Sequence, residues 1–455
     1  MENAWTKYED IQEVMDFAEG YKDYISTCKT ERECVVGAIR IAEAHGFRNI
    51  KEYIDNRMQL LPNDKVYFNN YNKSLVLFVV GSEPIENGMT ILGAHIDSPR
   101  LDLKQNPLYE DYDIALLDTH YYGGIKPYQW VTIPLALHGV VCKKDGTKVE
   151  IAVGENEDDP VVGVSDLLPH LGEKQLERTA KKIVEPEDLN ITVGSMPLKG
   201  VEKGAVKARV LAILKEKYDI EEKDFVSAEI EAVPAGKARD YGLDKSMVFG
   251  YGQDDRACAY PSLLALMEVE NPAKTLVCLL VDKEEVGSNG ATGMHSKFFE
   301  NVLAELIWLK EGFNEIKLRR ALANSKAISG DVSAAYDPNY PFVNEMKNTA
   351  FLGKGISISK FTGVRGKSGA NDANAEYLAE VRRAFDKHNV TWQTSEIGKV
   401  NEGGGGTISY ILANYGMQIV DAGVPVQNMH APMEVSSKVD LFETKQAYVA
   451  FLKEM

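Results

Sequence analysis

The chain has 455 residues, 44% of them hydrophobic, enough for a large core and two or three domains. A formal charge of −17, from 68 acids against 51 lysines and arginines, argues against a nucleic-acid partner or an anionic membrane surface. The five cysteines, Cys28, Cys34, Cys142, Cys258 and Cys278, form no C-x-x-C pair and no metal knuckle, so reduced thiols in a cytoplasm are expected.

Residues 1–26 lack the cationic start and apolar block of a signal peptide. No apolar stretch approaches the roughly 20 residues of a membrane span, so a soluble cytoplasmic protein is expected. Ile11, Val14, Met15, Ala18, Tyr21 and Ile25 recur at helical spacing and predict an opening amphipathic helix. Residues 74–80 and 89–94, joined through Gly81-Ser82-Glu83-Pro84, read as a hairpin-like pair. From about 104 to 244 the texture changes to short β-like segments such as 131–137 and 148–153. A Lys- and Glu-rich stretch at 173–190, with only scattered apolar residues, reads as a polar linker within this insert, which is expected to carry a helical excursion. Beyond Gly250, helix (255–269), strand (274–281), helix (295–309), strand (325–331) and helix (371–388) alternate. The fold class expected is α/β: a mixed sheet sandwiched by helices, formed by residues 1–103 and 245–455, with an inserted β-rich domain at 104–244.

The chemistry gathers at strand ends. The apolar run 275–281 delivers Glu284 and Glu285, and adjacent side chains on an extended segment point opposite ways. One can therefore serve a metal and the other a water, the division that hydrolysis by an activated water needs. His95 ends another apolar run, with Asp97 two residues on as a carboxylate partner for the imidazole. Asp254 opens a helix, Asp331 follows a short strand, and His430 ends an extended segment before Pro432. Two imidazoles and the carboxylates of Asp254, Glu285 and Asp331 make a full donor set for two divalent ions. Such donors, without thiolate, suit zinc, cobalt or manganese. Glu284 is left over as the general base. A phosphate-binding loop is excluded because Phe361 stands where its first glycine would be, and neither a G-x-S-x-G elbow nor an H-E-x-x-H helix is present.

These five segments, in this order, together with the run Thr362-Gly363-Val364-Arg365-Gly366-Lys367-Ser368-Gly369, resemble the aspartyl aminopeptidase and aminopeptidase I family of dinuclear metallopeptidases, on its aminopeptidase I branch. The resemblance implies a metalloaminopeptidase acting on peptides with a free N-terminus, with two divalent ions, zinc foremost. It implies that Asp254 bridges the ions, that His95 and Asp331 complete one site, and that Glu285 and His430 complete the other. Glu284 would move the proton, Asp97 would support His95, and Arg365 and Lys367 would approach the substrate, whose first residue is either acidic or neutral and apolar. The run 403–406 would be a backbone-approach element beside the substrate. The resemblance further implies that the insert forms a dimer interface, that dimers build a tetrahedral dodecamer, and that His170 reaches the partner's site. A dinuclear carboxypeptidase or deacylase, and a non-catalytic metal-stabilised assembly protein, are the alternatives.

Overall fold

The computed structural model describes residues 2–455 and resolves into two compact units. The larger comprises 2–97, 238–429 and 434–455, and the smaller comprises 98–237 with 430–433. The chain thus leaves the larger unit at Ser98 and re-enters it at Ala238, several residues before the texture changes at 104 and 244.

The larger unit is built on a nine-stranded mixed sheet. Its strands in chain order are β1 (Arg48–Asn49), β2 (Lys65–Asn70), β3 (Ser74–Val79), β4 (Met89–His95), β5 (Thr275–Val281), β6 (Lys326–Ser329), β7 (Ile356–Ser359), β8 (Trp392–Thr394) and β9 (Gln418–Gly423). Their spatial order is β1-β2-β3-β5-β4-β6-β9-β7-β8. The expected hairpin is therefore corrected: β3 pairs antiparallel with β5, and β5 pairs parallel with β4, so a strand from almost two hundred residues downstream separates them. Adjacent apolar runs with a short connection satisfy either arrangement locally, and only the sheet decides.

Both faces of this sheet are covered, which explains the unbroken apolar runs. In β5, Leu276, Cys278 and Leu280 join one core while Val277, Leu279 and Val281 join the other. The first core is walled by helices Gln12–Thr27, Glu31–Ala44, Gln253–Glu268, Ala375–Lys387 and Lys438–Glu454, and the second by Phe298–Glu311 and Glu315–Ala323. The predicted helices and strands after Gly250 are all present within a few residues of their expected bounds. A second, five-stranded sheet runs in the order Arg239–Tyr241, Met247–Gly250, Glu434–Ser437, Pro425–Gln427, Ser333–Ala334.

The smaller unit holds a seven-stranded antiparallel sheet in the order Lys148–Val153, Leu135–Cys142, Ala228–Pro234, Arg100–Asp111, Ile114–Tyr122, Ile191–Gly194, Gly163–Val164. Its one long helix, Ala205–Tyr218, is the expected helical excursion, and the 173–190 linker forms a single short helix and two 3₁₀ turns. Scattered apolar residues at 173–190 offer no stripe to bury, whereas Leu214 and Tyr218 pack on a core of Val141, Ile151, Ile220, Phe225 and Ile230. Among the described residues no helix is long and apolar enough to cross a membrane.

Candidate metal centre

Strands β5, β4 and β6 are adjacent and parallel, so their carboxyl ends open on one edge. Open α/β sheets place their functional groups along such an edge. His95 is the last residue of β4, Glu284 and Glu285 form a 3₁₀ turn just past β5, and Asp331 lies just past β6. Asp254 reaches the same edge from the start of helix Gln253–Glu268, where its backbone (φ −82°, ψ 106°) is not helical. The Asp254–Asp255 peptide is cis.

His95, 2% exposed, has Nε2 3.1 Å from Asp254 Oδ1 and 3.9 Å from Glu284 Oε2. Ligand atoms of His95, Asp254 and Asp331 all lie within 4.8 Å of one another. Nδ1 lies 3.0 Å from the carbonyl oxygen of Asp97, an acceptor, so the proton sits on Nδ1 and the Nε2 side of the ring faces the carboxylates. The Asp97 carboxylate stands 3.4 Å from Nδ1 and also accepts from Glu284 N (3.1 Å) and Glu285 N (3.2 Å). Asp97 thus faces His95 with both its carbonyl and its carboxylate, and the same carboxylate holds the two-glutamate turn.

The electrostatics test whether a cation fits. Burial works against a charged His95, yet hydrogen bonds to Asp254 and Asp97 and the charges of Asp97 and Glu284 outweigh it and raise the ring well above its ordinary pKa. Burial, then the neighbouring carboxylates Asp255, Glu284 and Asp254, push Asp331 well above the usual carboxylate range. Asp255, fully buried, is raised in the same way, by burial and by Asp254 despite the opposing pull of His95. This edge therefore holds more negative charge than the protein compensates, and nitrogen and oxygen donors converge on it. Both properties fit a divalent cation.

Two supports were not legible in the sequence. Glu434, 2% exposed at the start of its strand, accepts from Gln253 N (2.6 Å) and Asp254 N (3.1 Å), so the neighbouring sheet fixes the backbone that carries Asp254. Arg256, buried at 1% exposure, donates to the carbonyl of Ile96 beside His95. Nothing in the local sequence distinguishes either from a surface charge.

A buried imidazole–carboxylate set at parallel strand ends, beside a two-glutamate turn, agrees with what the whole chain matches. Residues 24–452 fit the family described as aminopeptidase I zinc metalloprotease (M18). The chain belongs to this family. It is 62% identical over 453 residues to a probable M18 family aminopeptidase 1 of Clostridium acetobutylicum, covering 99% of this chain and 97% of that protein. The solved structure of an M18 aminopeptidase from Thermotoga maritima superposes with a TM-score of 0.94 at 43% identity, covering 100% of this chain and 99% of the other. The S. cerevisiae mApe1 dodecamer shares the fold at 20% identity, with a TM-score of 0.78 and 96% of each chain covered. This M18 protein is a metal-dependent aminopeptidase.

The remaining expected site residues of this M18 aminopeptidase lie outside the buried set. Arg365 and Lys367 are exposed on the loop 361–367, which lines a cleft with 396–401 and Gly403-Gly404. Lys367 is paired with Asp372 at 3.0 Å and lies 3.8 Å over the Phe361 ring. His170 is exposed in the smaller unit, in the 3₁₀ turn Pro169–Leu171. His430 also clusters with the smaller unit, where its Nδ1 lies 2.9 Å from the Gly124 carbonyl oxygen.

Proposed function

We propose that this aminopeptidase removes single residues from the free N-termini of peptides with two divalent ions, zinc foremost, and with Glu284 as the general base. The observation that carries the reading is the separation of roles at one edge: His95, Asp254 and Asp331 converge as donors, while Glu284 stands 3.9 Å from His95 outside that set. His95, Asp254 and Asp331 would hold one ion, and Asp254, Glu285 and His430 would hold the other. Chain connectivity supports His430, which lies four residues before Glu434, the carboxylate that fixes the Asp254 backbone.

When bound, the ions supply Lewis acidity and lower the pKa of a shared water from about 15.7 towards roughly 7. Glu284 takes a proton from the attacking water and returns it to the leaving amine. Its half-buried carboxylate is aimed by the two N–H bonds that Asp97 accepts from the turn. A neutral or apolar first residue is favoured, because an acidic one would compete with Asp372 for Lys367. The five cysteines are all free, which fits a reducing cytoplasm.

We infer further that the smaller unit forms a homodimer interface and that dimers build a dodecamer of the kind named for the S. cerevisiae protein. Leu167, Leu168, Leu171 and Leu176, all exposed on the segment that carries His170, support that interface.

The test compares wild type with Glu284→Gln on peptides with free and N-acetylated termini. Wild type should cleave only the free set. The variant should keep its zinc and lose about two to four orders of magnitude in kcat. Undiminished turnover would remove Glu284 from the mechanism.

A further inference from the structure

Asp421 lies in β9, beside β6, and is 3% exposed. It accepts from the Thr407 hydroxyl at 2.6 Å and the Ser409 hydroxyl at 2.9 Å, and these hydroxyls lie 2.7 Å from each other. A carboxylate hidden from water is expensive even with two such bonds, and burial pushes Asp421 up to about 6. A cap for two hydroxyls does not require that expense, so what the hydroxyls anchor matters.

Thr407 ends the run Gly403-Gly404-Gly405-Gly406. Ile408, between the two anchored residues, sits against Gly93 of β4: a Cβ at 93 would lie 3.0 Å from its Cδ1. Gly93 is two residues before His95, and Gly330, next to Asp331, donates its N–H to the Gly93 carbonyl at 2.6 Å. The glycine run therefore springs from the edge that carries the donors. Its far side is joined to the loop 361–369, where Gly363 N donates to Gly405 O at 2.5 Å. Gly404 sits at φ +129°, and a Cβ there would strike the Gly363 carbonyl, so no other residue allows this approach.

We propose that Asp421 is a positioning residue for peptide binding: through Thr407 and Ser409 it fixes the root of the glycine run, so that the run and the loop it holds form a rigid backbone wall for the substrate. This rests on reading the loop 361–369 as facing substrate. The clamp acts on binding, not on proton transfer, so its loss separates KM from kcat.

The experiment uses the zinc-loaded enzyme with Thr407→Val, Thr407→Ser and Asp421→Asn on a free-N-terminus tetrapeptide. Thr407→Val should raise KM about tenfold with kcat within about threefold and zinc content unchanged, and Thr407→Ser should restore KM. Asp421→Asn should follow Thr407→Val. If it does not fold, the two Thr407 variants decide alone. An unmoved KM in Thr407→Val overturns the proposal, and so does a parallel loss of zinc and kcat, which would make the clamp a support of the metal edge. Failure of the catalytic reading appears elsewhere, in a Glu284→Gln enzyme that still turns over, and leaves these KM values interpretable.

Discussion

Replacing Asp97 by asparagine changes one atom and should disable the centre. The wild-type carboxylate, fully buried, accepts two N–H groups, those of Glu284 at 3.1 Å and Glu285 at 3.2 Å. An asparagine oxygen can accept only one of them, and its amide then points a donor at the other donor. Losing one charge-assisted hydrogen bond costs about 1.5–3 kcal/mol. The turn would be driven out of register, carrying Glu284 and Glu285 with it, while His95 keeps its bond to the backbone carbonyl of residue 97. Disturbing a residue that orients metal-site groups typically costs about 10–100-fold in metal affinity or activity. The expected result is a fall of about 100-fold in kcat/KM, or about 2.7 kcal/mol in transition-state stabilisation. Steady-state kinetics, with zinc titrated against a competing chelator, measures both parts. If activity and zinc affinity both stay within about twofold of wild type, the turn is held by something else and the reasoning fails.

Two further outcomes follow from the same edge. A Cβ on Gly423 would overlap the Asp331 carbonyl oxygen and approach Cys258 Sγ to 2.7 Å, so Gly423→Ala should displace Asp331, cost about 1–3 kcal/mol and lower zinc content. Wild-type zinc content in that variant would refute this. Asp421 is raised from 3.8 to about 6 chiefly by burial, so its contribution to stability is complete below its unfolded pKa and is lost as pH rises from about 4 to about 6. Denaturant unfolding at about pH 4 and pH 7 should show wild type losing up to about 3 kcal/mol relative to Asp421→Asn, and a constant gap would contradict it.

Much of this protein was legible in its sequence because burial on both faces leaves a mark. The unbroken apolar run of β5 read as a buried strand, with the two glutamates delivered just past its end. Residue type and spacing were likewise sufficient to nominate His95, Asp254, Glu285, Asp331 and His430 as donors, and Glu284 as the base. Strand order was not legible, and the hairpin expected between β3 and β4 failed because local pattern cannot exclude a third strand entering from far along the chain. Asp97 was legible as the partner of His95, but not its hold on Glu284, 187 residues away. Glu434 and Asp421 were hidden for the same reason, acting on partners 181 and 14 residues away with no period in their spacing. The sequence by itself determined which residues could bind a cation, since that is a matter of side-chain chemistry. Tertiary structure decided that His95 and Asp254, 159 residues apart, would meet, because only the packing of a helix start against parallel strand ends brings them within 3.1 Å.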